Sequence, residues 1–353
     1  MWRHVYKDLT DATNLLSFLI LLSPSTKIFL SSTAFPDSNP YQRKMLTTHV
    51  ALAGASGNLG LPILDMLLNA GMYVTVLSRI NGNSSKLCPH QNLTIKEVDF
   101  TSVTCIASAL SGVEVVVSCL ATLAIGSQNP LIDAAIAAGV KRFIPAEFGM
   151  DSQNPLAAQL PVCAPKVATQ SYLLDKSMVS NYDDNKEGFT YTAIANGMFL
   201  DWGLKMGILV DLKRHTATLY NGGHVPFSAT TLADVAKAVL GVIQHREQTE
   251  NRVVYVQSAL VTQNQLLRYA RDKDGVEWET VSKSTEEIRK ESLDELEKGP
   301  EAADVEAAML GFCICGMWDV EYGCDFSAHL DNGLLGVEGL GEDGVRNLVE
   351  SFL

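Results

Sequence analysis

The stretch VALAGASGNLGLPILDMLLNAG, residues 50–71, decides the fold. Val50 to Ala53 are apolar and suit a buried strand, and the residues from Leu61 onward read as an amphipathic helix. Between them Gly54, Gly57 and Gly60 fall in a G-x-x-G-x-x-G pattern. In a strand–turn–helix setting each glycine has a separate task. Gly54 makes the sharp exit from the strand, Gly57 lets backbone N–H groups approach a pyrophosphate, and Gly60 lets the helix pack closely on the sheet. Pro62 fits the first helical turn, where a missing N–H costs nothing. The helix start then offers free N–H groups and a partial positive charge to a phosphate. Ser56, Asn58 and Leu59 complete the turn, so residues 54 and 56–60 are the candidate dinucleotide cradle.

Working outward, residues 73–79 (YVTVLSR) form a β-branched run that predicts the second strand. A carboxylate at its end would hold a ribose 2′-hydroxyl and favour NAD. Arg79 stands there instead, with Lys86 shortly after. A guanidinium pairs with a 2′-phosphate and stacks on adenine, which points to NADPH as the cofactor. A third strand over residues 93–98 ends at Asp99 and Phe100, placed to lie beside the adenine. VEVVVSCL (113–120) predicts a buried parallel strand, residues 131–139 a small-residue helix closed by Gly139, 142–145 a fifth strand and 188–196 a sixth. Strands alternating with helices at this spacing predict an α/β fold: a Rossmann-like, doubly wound parallel sheet.

Past Phe199 the rhythm changes. Residues 218–220 and 225–227 around Asn221-Gly222-Gly223 predict a short hairpin-like excursion. A helix is expected over 232–243, a strand over 253–257, and a charged helix over 284–298 that opens with a capping-box pattern. The expected organisation is an extension over 1–44, a nucleotide-binding domain over 45–200, and, over 201–353, mainly a smaller α/β substrate lobe with elements returning to the core.

Bulk properties narrow the function class. The 353 residues are 47% hydrophobic and 19% charged, an ordinary globular balance. A net charge of −13 repels phosphates, so no nucleic-acid partner is expected. Seven irregularly spaced cysteines contain no C-x-x-C pair, and no suitably placed histidine completes Cys313, Cys315 and Cys324 as a metal site. Reduced thiols in a cytoplasmic protein are the expectation. LLSFLILL (15–22) is too short to span a bilayer, and no clean cleavage site follows it. Residues 1–44 are therefore read as a disordered or non-native extension, consistent with an upstream start before Met45, and no stable membrane insertion is expected.

Ligands of such sheets bind beyond the carboxyl ends of the strands, near the switch in strand order. The segments to inspect are Cys119-Leu120-Ala121, Ala146-Glu147-Phe148-Gly149 and Ala195-Asn196-Gly197-Met198-Phe199. Lys166 falls between the last two, at the start of a predicted helix. The Tyr-x-x-x-Lys pair of ordinary short-chain dehydrogenases is missing, because Val162 stands where the tyrosine would be. Lys166 would have to act alone, exchanging protons from a partly desolvated wall. The competing reading is a solvated lysine at a helix start.

Gly54 to Gly60, KRFIPAEFG (141–149), Lys166 and YTAIANGMFLDWG (191–203) together resemble the isoflavone-reductase-like, NmrA-type atypical short-chain dehydrogenases. The resemblance covers Thr47 to the C-terminus, and STEEIRKESLDEL and DNGLLGVEGL resemble its fungal-type branch. It implies that Lys166 is the general acid/base, that Arg79 binds the 2′-phosphate, and that Phe148 and Asn196 lie near the nicotinamide. Two departures stand out: Ala146 replaces the serine usual in the plant motif, and residues 151–165 diverge, so substrate identity does not transfer.

The reading that follows is an NADPH-dependent reductase of a small aromatic or polyketide-like metabolite, monomeric or homodimeric. Arg79, Lys86, Asp99, Phe100, Ala121, Phe148, Lys166 and Asn196 would join the glycine turn around the cofactor. Met198, Phe199 and Trp202 would wall the substrate pocket, unless they belong to the core. The alternatives are a non-catalytic NADP(H)-binding redox sensor acting on a protein partner and, less favoured without the tyrosine, an epimerase or dehydratase.

Overall fold

Period-two burial in the first strand organises the molecule. The computed structural model describes residues 48–180 and 188–353; the extension expected over 1–44 lies outside them. Strand β1 (His49–Ala53) sends Val50 and Leu52 into one apolar cluster and Ala51 and Ala53 into another on the opposite face. Helix α1 (Gly60–Asn69) leads to β2 (Tyr73–Arg79) and β3 (Leu93–Val98), then α2 (Val103–Ala109), β4 (Val115–Ser118), α3 (Asn129–Ala137) and β5 (Arg142–Ile144). The long helix α4 (Ala164–Ser180) precedes β6 (Thr190–Ala195).

The chain continues through β7 (Met198–Phe199), α5 (Leu200–Lys205), β8 (Thr216–Tyr220), β9 (Phe227–Thr230), α6 (Leu232–Gln244) and β10 (Arg252–Tyr255). A seven-stranded sheet runs β10-β6-β5-β4-β1-β2-β3, parallel throughout. Strand order reverses between β1 and β4, which is the switch point of a doubly wound sheet. Ile63 of α1 and Val239 of α6 cover one face; Ile106 of α2, Leu131 of α3 and Leu173 of α4 cover the other. Residues past 200 thus supply an edge strand and a covering helix to the same sheet.

The remaining elements are β11 (Ala259–Val261), α7 (Gln263–Asp274), β12 (Glu279–Lys283), α8 (Thr285–Glu297), α9 (Val305–Trp318), α10 (Asn332–Leu335) and α11 (Glu342–Glu350). They build a third apolar cluster around Phe227, Tyr269, Phe312, Trp318 and Phe326. Ser284 caps α8 with the full capping box, its side chain receiving Glu287 N–H while Glu287 reaches back to Ser284 N–H.

The expected hairpin does not form. Strand β8 pairs in parallel with β12, while β9 lies between β7 and β11 in a separate three-stranded sheet. Asn221 (φ 47°) and Gly222 (φ 76°) do turn the chain, but their polar groups are taken by distant elements. Asn221 binds Thr285 Oγ1 and Trp318 O at 2.9 Å each, and Asn264 donates to Gly222 O at 2.9 Å. Long-range anchoring therefore overrides the local turn signal.

All seven cysteines are free thiols; Cys88 is exposed, and Cys163, Cys315 and Cys324 are buried. Burial pushes these three thiols from 9.0 up to about 12. The unfolded chain deprotonates first, so their contribution to stability is intact below pH 9 and is lost as pH rises towards 12. Iodoacetamide at pH 8 is expected to modify Cys88 in the folded protein and these three only after unfolding, as peptide mass spectrometry would show. Equal labelling of all four would contradict the packing.

Candidate functional site

Three backbones converge at the switch point with no room for a side chain. Gly54 leaves β1 at φ 82°, and a Cβ there would lie 2.3 Å from the carbonyl oxygen of Cys119, just past β4. A Cβ on Gly60 would lie 2.1 Å from Gly54 O. Helix α1 therefore starts hard against the strand end, as the spacing predicts. No side chain caps it, and Ser56, Gly57 and Asn58 are exposed with Leu59 half-buried beside them. Gly57 N–H turns back to Gly54 O at 3.1 Å, and the neighbouring amides of Ser56 and residues 58–60 at this helix start suit a phosphate.

Arg79 ends β2 on the same edge of the sheet, exposed and with no side-chain partner among the described residues. Lys86 closes the short 3-10 turn Asn83–Lys86 that follows. Asp99 is occupied locally: its Oδ1 accepts Thr101 N–H at 2.9 Å and Thr101 Oγ1–H at 2.7 Å, and these bonds hold its carboxyl below the usual range. Phe100 packs half-buried against the cluster under α2, and Ala121 is exposed at the start of the turn after β4.

Lys166 is the third residue of α4 and is only 7% exposed, which rules out the solvated reading. Its ammonium donates to the carbonyl of Glu147 in the loop after β5. Ala146 N–H donates to Gln128 Oε1 at 3.0 Å, and Gly149 O accepts Asn196 N–H and Gly197 N–H at 3.0 and 2.9 Å. Between these anchors Phe148 adopts φ 24°, a left-handed value that a bulky aromatic rarely takes. Its ring is half-buried.

Asn196 is fully buried; its Nδ2 donates to Gly197 O at 3.1 Å while its Oδ1 has no partner. Ser118 Oγ, at the end of β4, is likewise buried without one. Both open polar atoms thus lie at carboxyl ends of parallel strands, β4 and β6, and could receive a ligand's hydrogen-bonding groups. Of the expected pocket residues, Phe199 and Trp202 are half-buried and meet edge to face at 6.4 Å. Met198 instead belongs to the core: it is 4% exposed, held in β7 among Ala195, Leu200, Leu204 and Ala229. Asp201 serves as a cap, accepting Leu232 N–H at 3.1 Å ahead of α6.

Sequence reasoning passed over several polar residues. The Glu147 side chain is 3% exposed and bound to Ser152 and Gln170, and only the i, i+4 spacing of Lys166 and Gln170 on one helix face hinted at it. Tyr255, ending β10, donates to Asp151 Oδ1 at 3.1 Å and lies edge-on to His329 at 4.3 Å. Burial and then the neighbouring Asp151 carboxylate push its phenol upward. Among the described residues no cluster of His, Cys, Asp or Glu suits a metal ion, and no helix is long and apolar enough to cross a membrane.

A family model described as the NmrA-like family matches residues 47–295. The chain belongs to the NmrA-like family. The oxidoreductase aprR of Aspergillus flavus is 34% identical over 257 residues, 72% of this chain and 83% of that one. The binary complex of leucoanthocyanidin reductase with NADPH from Vitis vinifera superposes with a TM-score of 0.66 at 17% identity, covering 85% of this chain and 99% of the reductase. The NADPH-dependent quinone oxidoreductase QOR2 of Escherichia coli, in complex with NADPH, gives 0.64 at 20% identity, over 86% and 100%. These similarities match the family and the parallel α/β sheet read from the sequence.

The cradle geometry separates the glycines. Gly60→Ala drives a methyl into a backbone carbonyl and is expected to cost about 1–3 kcal/mol. Gly57→Ala, whose Cβ would meet only Gly54 O at 3.3 Å, is expected to unfold close to wild type. Calorimetry on both variants checks this; equal melting temperatures would refute the close approach.

Proposed function

We propose that the chain is an NADPH-dependent reductase of a small aromatic metabolite, with Lys166 as its general acid/base. The observation that carries this reading is the burial of Lys166. A lysine taken out of water and held by a carbonyl carries a desolvation cost, and costs of that kind are retained mainly at functional sites. Family membership and the oxidoreductase relative support the reaction class.

The residues present fit a dinucleotide. The space closed to any Cβ at Gly54 and Gly60 sets the turn against the helix start, and the open hydrogen-bonding atoms of Ser118 and Asn196 lie at the carboxyl ends of β4 and β6, on either side of β5. Ser56 to Gly60 would hold the pyrophosphate, Arg79 and Lys86 the 2′-phosphate, Phe100 and Ala121 would flank the adenosine side, and Asn196 and Phe148 would sit by the nicotinamide. Arg79, and not a carboxylate, ends β2, in keeping with NADPH. When bound, that cofactor supplies a hydride to a substrate carbon.

The rest falls to the chain. As a carbonyl, enone or quinone oxygen gains the electron pair of its broken π bond, Lys166 Nζ gives it a proton and is later reprotonated from water. Phe148, Phe199 and Trp202 provide an apolar wall that suits a flat ring and keeps water from the reacting carbon.

Lys166→Met should bind NADPH within about 2-fold of wild type yet lose about 10²–10⁴ in kcat with 1,4-naphthoquinone or chalcone as probe. Undiminished turnover in this variant would overturn its role. NADPH bound tightly but never consumed by wild type against these probes would favour the sensor reading. Arg79→Ala should weaken NADPH about 10–100-fold and leave NADH unchanged, the effect of losing a charge-assisted phosphate contact. Equal losses for both nucleotides would refute the 2′-phosphate assignment.

A further inference from the structure

Behind Lys166 lies a buried polar cluster that the reaction does not itself require. Glu147, Ser152 and Gln170 are 3%, 4% and 9% exposed. Ser152 Oγ–H donates to Glu147 Oε1 at 2.6 Å, and Gln170 Nε2 donates to Glu147 Oε2 at 3.0 Å and to Ser152 Oγ at 2.7 Å. Every listener of the carboxylate is neutral, and among the described residues no cation comes within ion-pair distance of it. The same residue, through its backbone carbonyl, receives the Lys166 ammonium. One residue therefore faces two ways: its side chain is bolted to α4 at Gln170, and its carbonyl is offered to α4 one turn earlier at Lys166.

We propose that Glu147, locked by Ser152 and Gln170, is a positioning residue that sets where the Lys166 ammonium points. The inference rests on the reading of Lys166 as the proton donor. The loop needs such a lock because Phe148 sits in a left-handed conformation that relaxes unless its neighbours over-determine it. The anchors at Ala146 and Gly149 hold the loop's ends, whereas the Glu147 carboxylate holds its middle. Space is tight as well, since a Cβ on Gly149 would fall 3.0 Å from Lys166 Nζ. If the carboxylate lost its donors, the peptide after Glu147 would be free to rotate and the carbonyl would leave the ammonium.

Hydrogen-bond polarity makes the proposal separable from simple loss of packing. Glu147→Gln keeps one oxygen for Gln170 but sets an amide NH2 group where the carboxylate accepts Ser152 Oγ–H, so the cluster loses its charged acceptor and that bond in a buried place. Gln170→Glu sets two carboxylates together. The double swap, Glu147→Gln with Gln170→Glu, restores one donor facing one acceptor at constant volume.

The test uses the full chain. Trace acetic anhydride labels lysines in competition, and peptide mass spectrometry compares Lys166 with the exposed Lys205 and Lys213. Each single variant should raise the relative labelling of Lys166 about 10-fold, the worth of one lost hydrogen bond near 1.4 kcal/mol. The swap should return it to within about 3-fold of wild type. With 1,4-naphthoquinone, kcat should fall in the singles and recover in the swap while KM for NADPH stays level. Unchanged labelling of Lys166 in folded single variants would overturn the proposal, as would a swap that regains the wild-type melting temperature without regaining protection. Labelling needs no turnover, so it decides this point even if Lys166→Met proves fully active.

Discussion

The constraint on which the rest depends is the meeting of three backbones at the switch point: the exit of β1, the end of β4 and the start of α1. A single Cβ at Gly54 or Gly60 would overlap a carbonyl oxygen at 2.3 or 2.1 Å. Because nothing intervenes, α1 begins flush with the strand ends and its uncapped amides face the open edge. That edge is also where β5, β6 and β10 end, so Phe148, Asn196 and Tyr255 are brought to one side of the sheet by topology alone.

A second constraint acts on the loop after β5. Residues 146–149 are held by bonds from Gln128, Asn196, Gly197, Ser152 and Gln170, an unusual density for a connecting loop. The outcome is a buried ammonium whose partner is a carbonyl rather than a carboxylate. A carbonyl orients the ammonium without neutralising its charge. A third apolar cluster, around Tyr269, Phe312 and Trp318, packs beside the sheet's own two, and Asp201 of α5 accepts the first amide of α6.

Much of the fold was legible in the sequence because its signals are local. Glycine spacing, the β-branched run before Arg79, the buried VEVVVSCL and the capping box at Ser284 each act within one element, and each element formed where expected. The hairpin at residues 218–227 was misread for the converse reason: a genuine turn was present, but the strands' partners lay far along the chain in β11 and β12. The site was legible in part. Lys166 was visible as a residue type at a helix start, yet its burial comes from Glu147 and from packing that no spacing rule reports. Met198 looked like a pocket residue beside Phe199, but strand alternation in β7 turns it into the core. Glu147, Ser152 and Gln170 carry no motif, since their link exists only once the loop after β5 folds onto α4.

The most direct test of the account is a crystal structure of the full chain with NADP+. The pyrophosphate is expected on the amides of Ser56 and residues 58–60, the 2′-phosphate on Arg79, and the nicotinamide beside Asn196. A gap that admits one substrate oxygen should then separate the nicotinamide from Lys166 Nζ within hydrogen-bond reach. A nucleotide bound away from the glycine turn, or a nicotinamide directed away from Lys166, would contradict it.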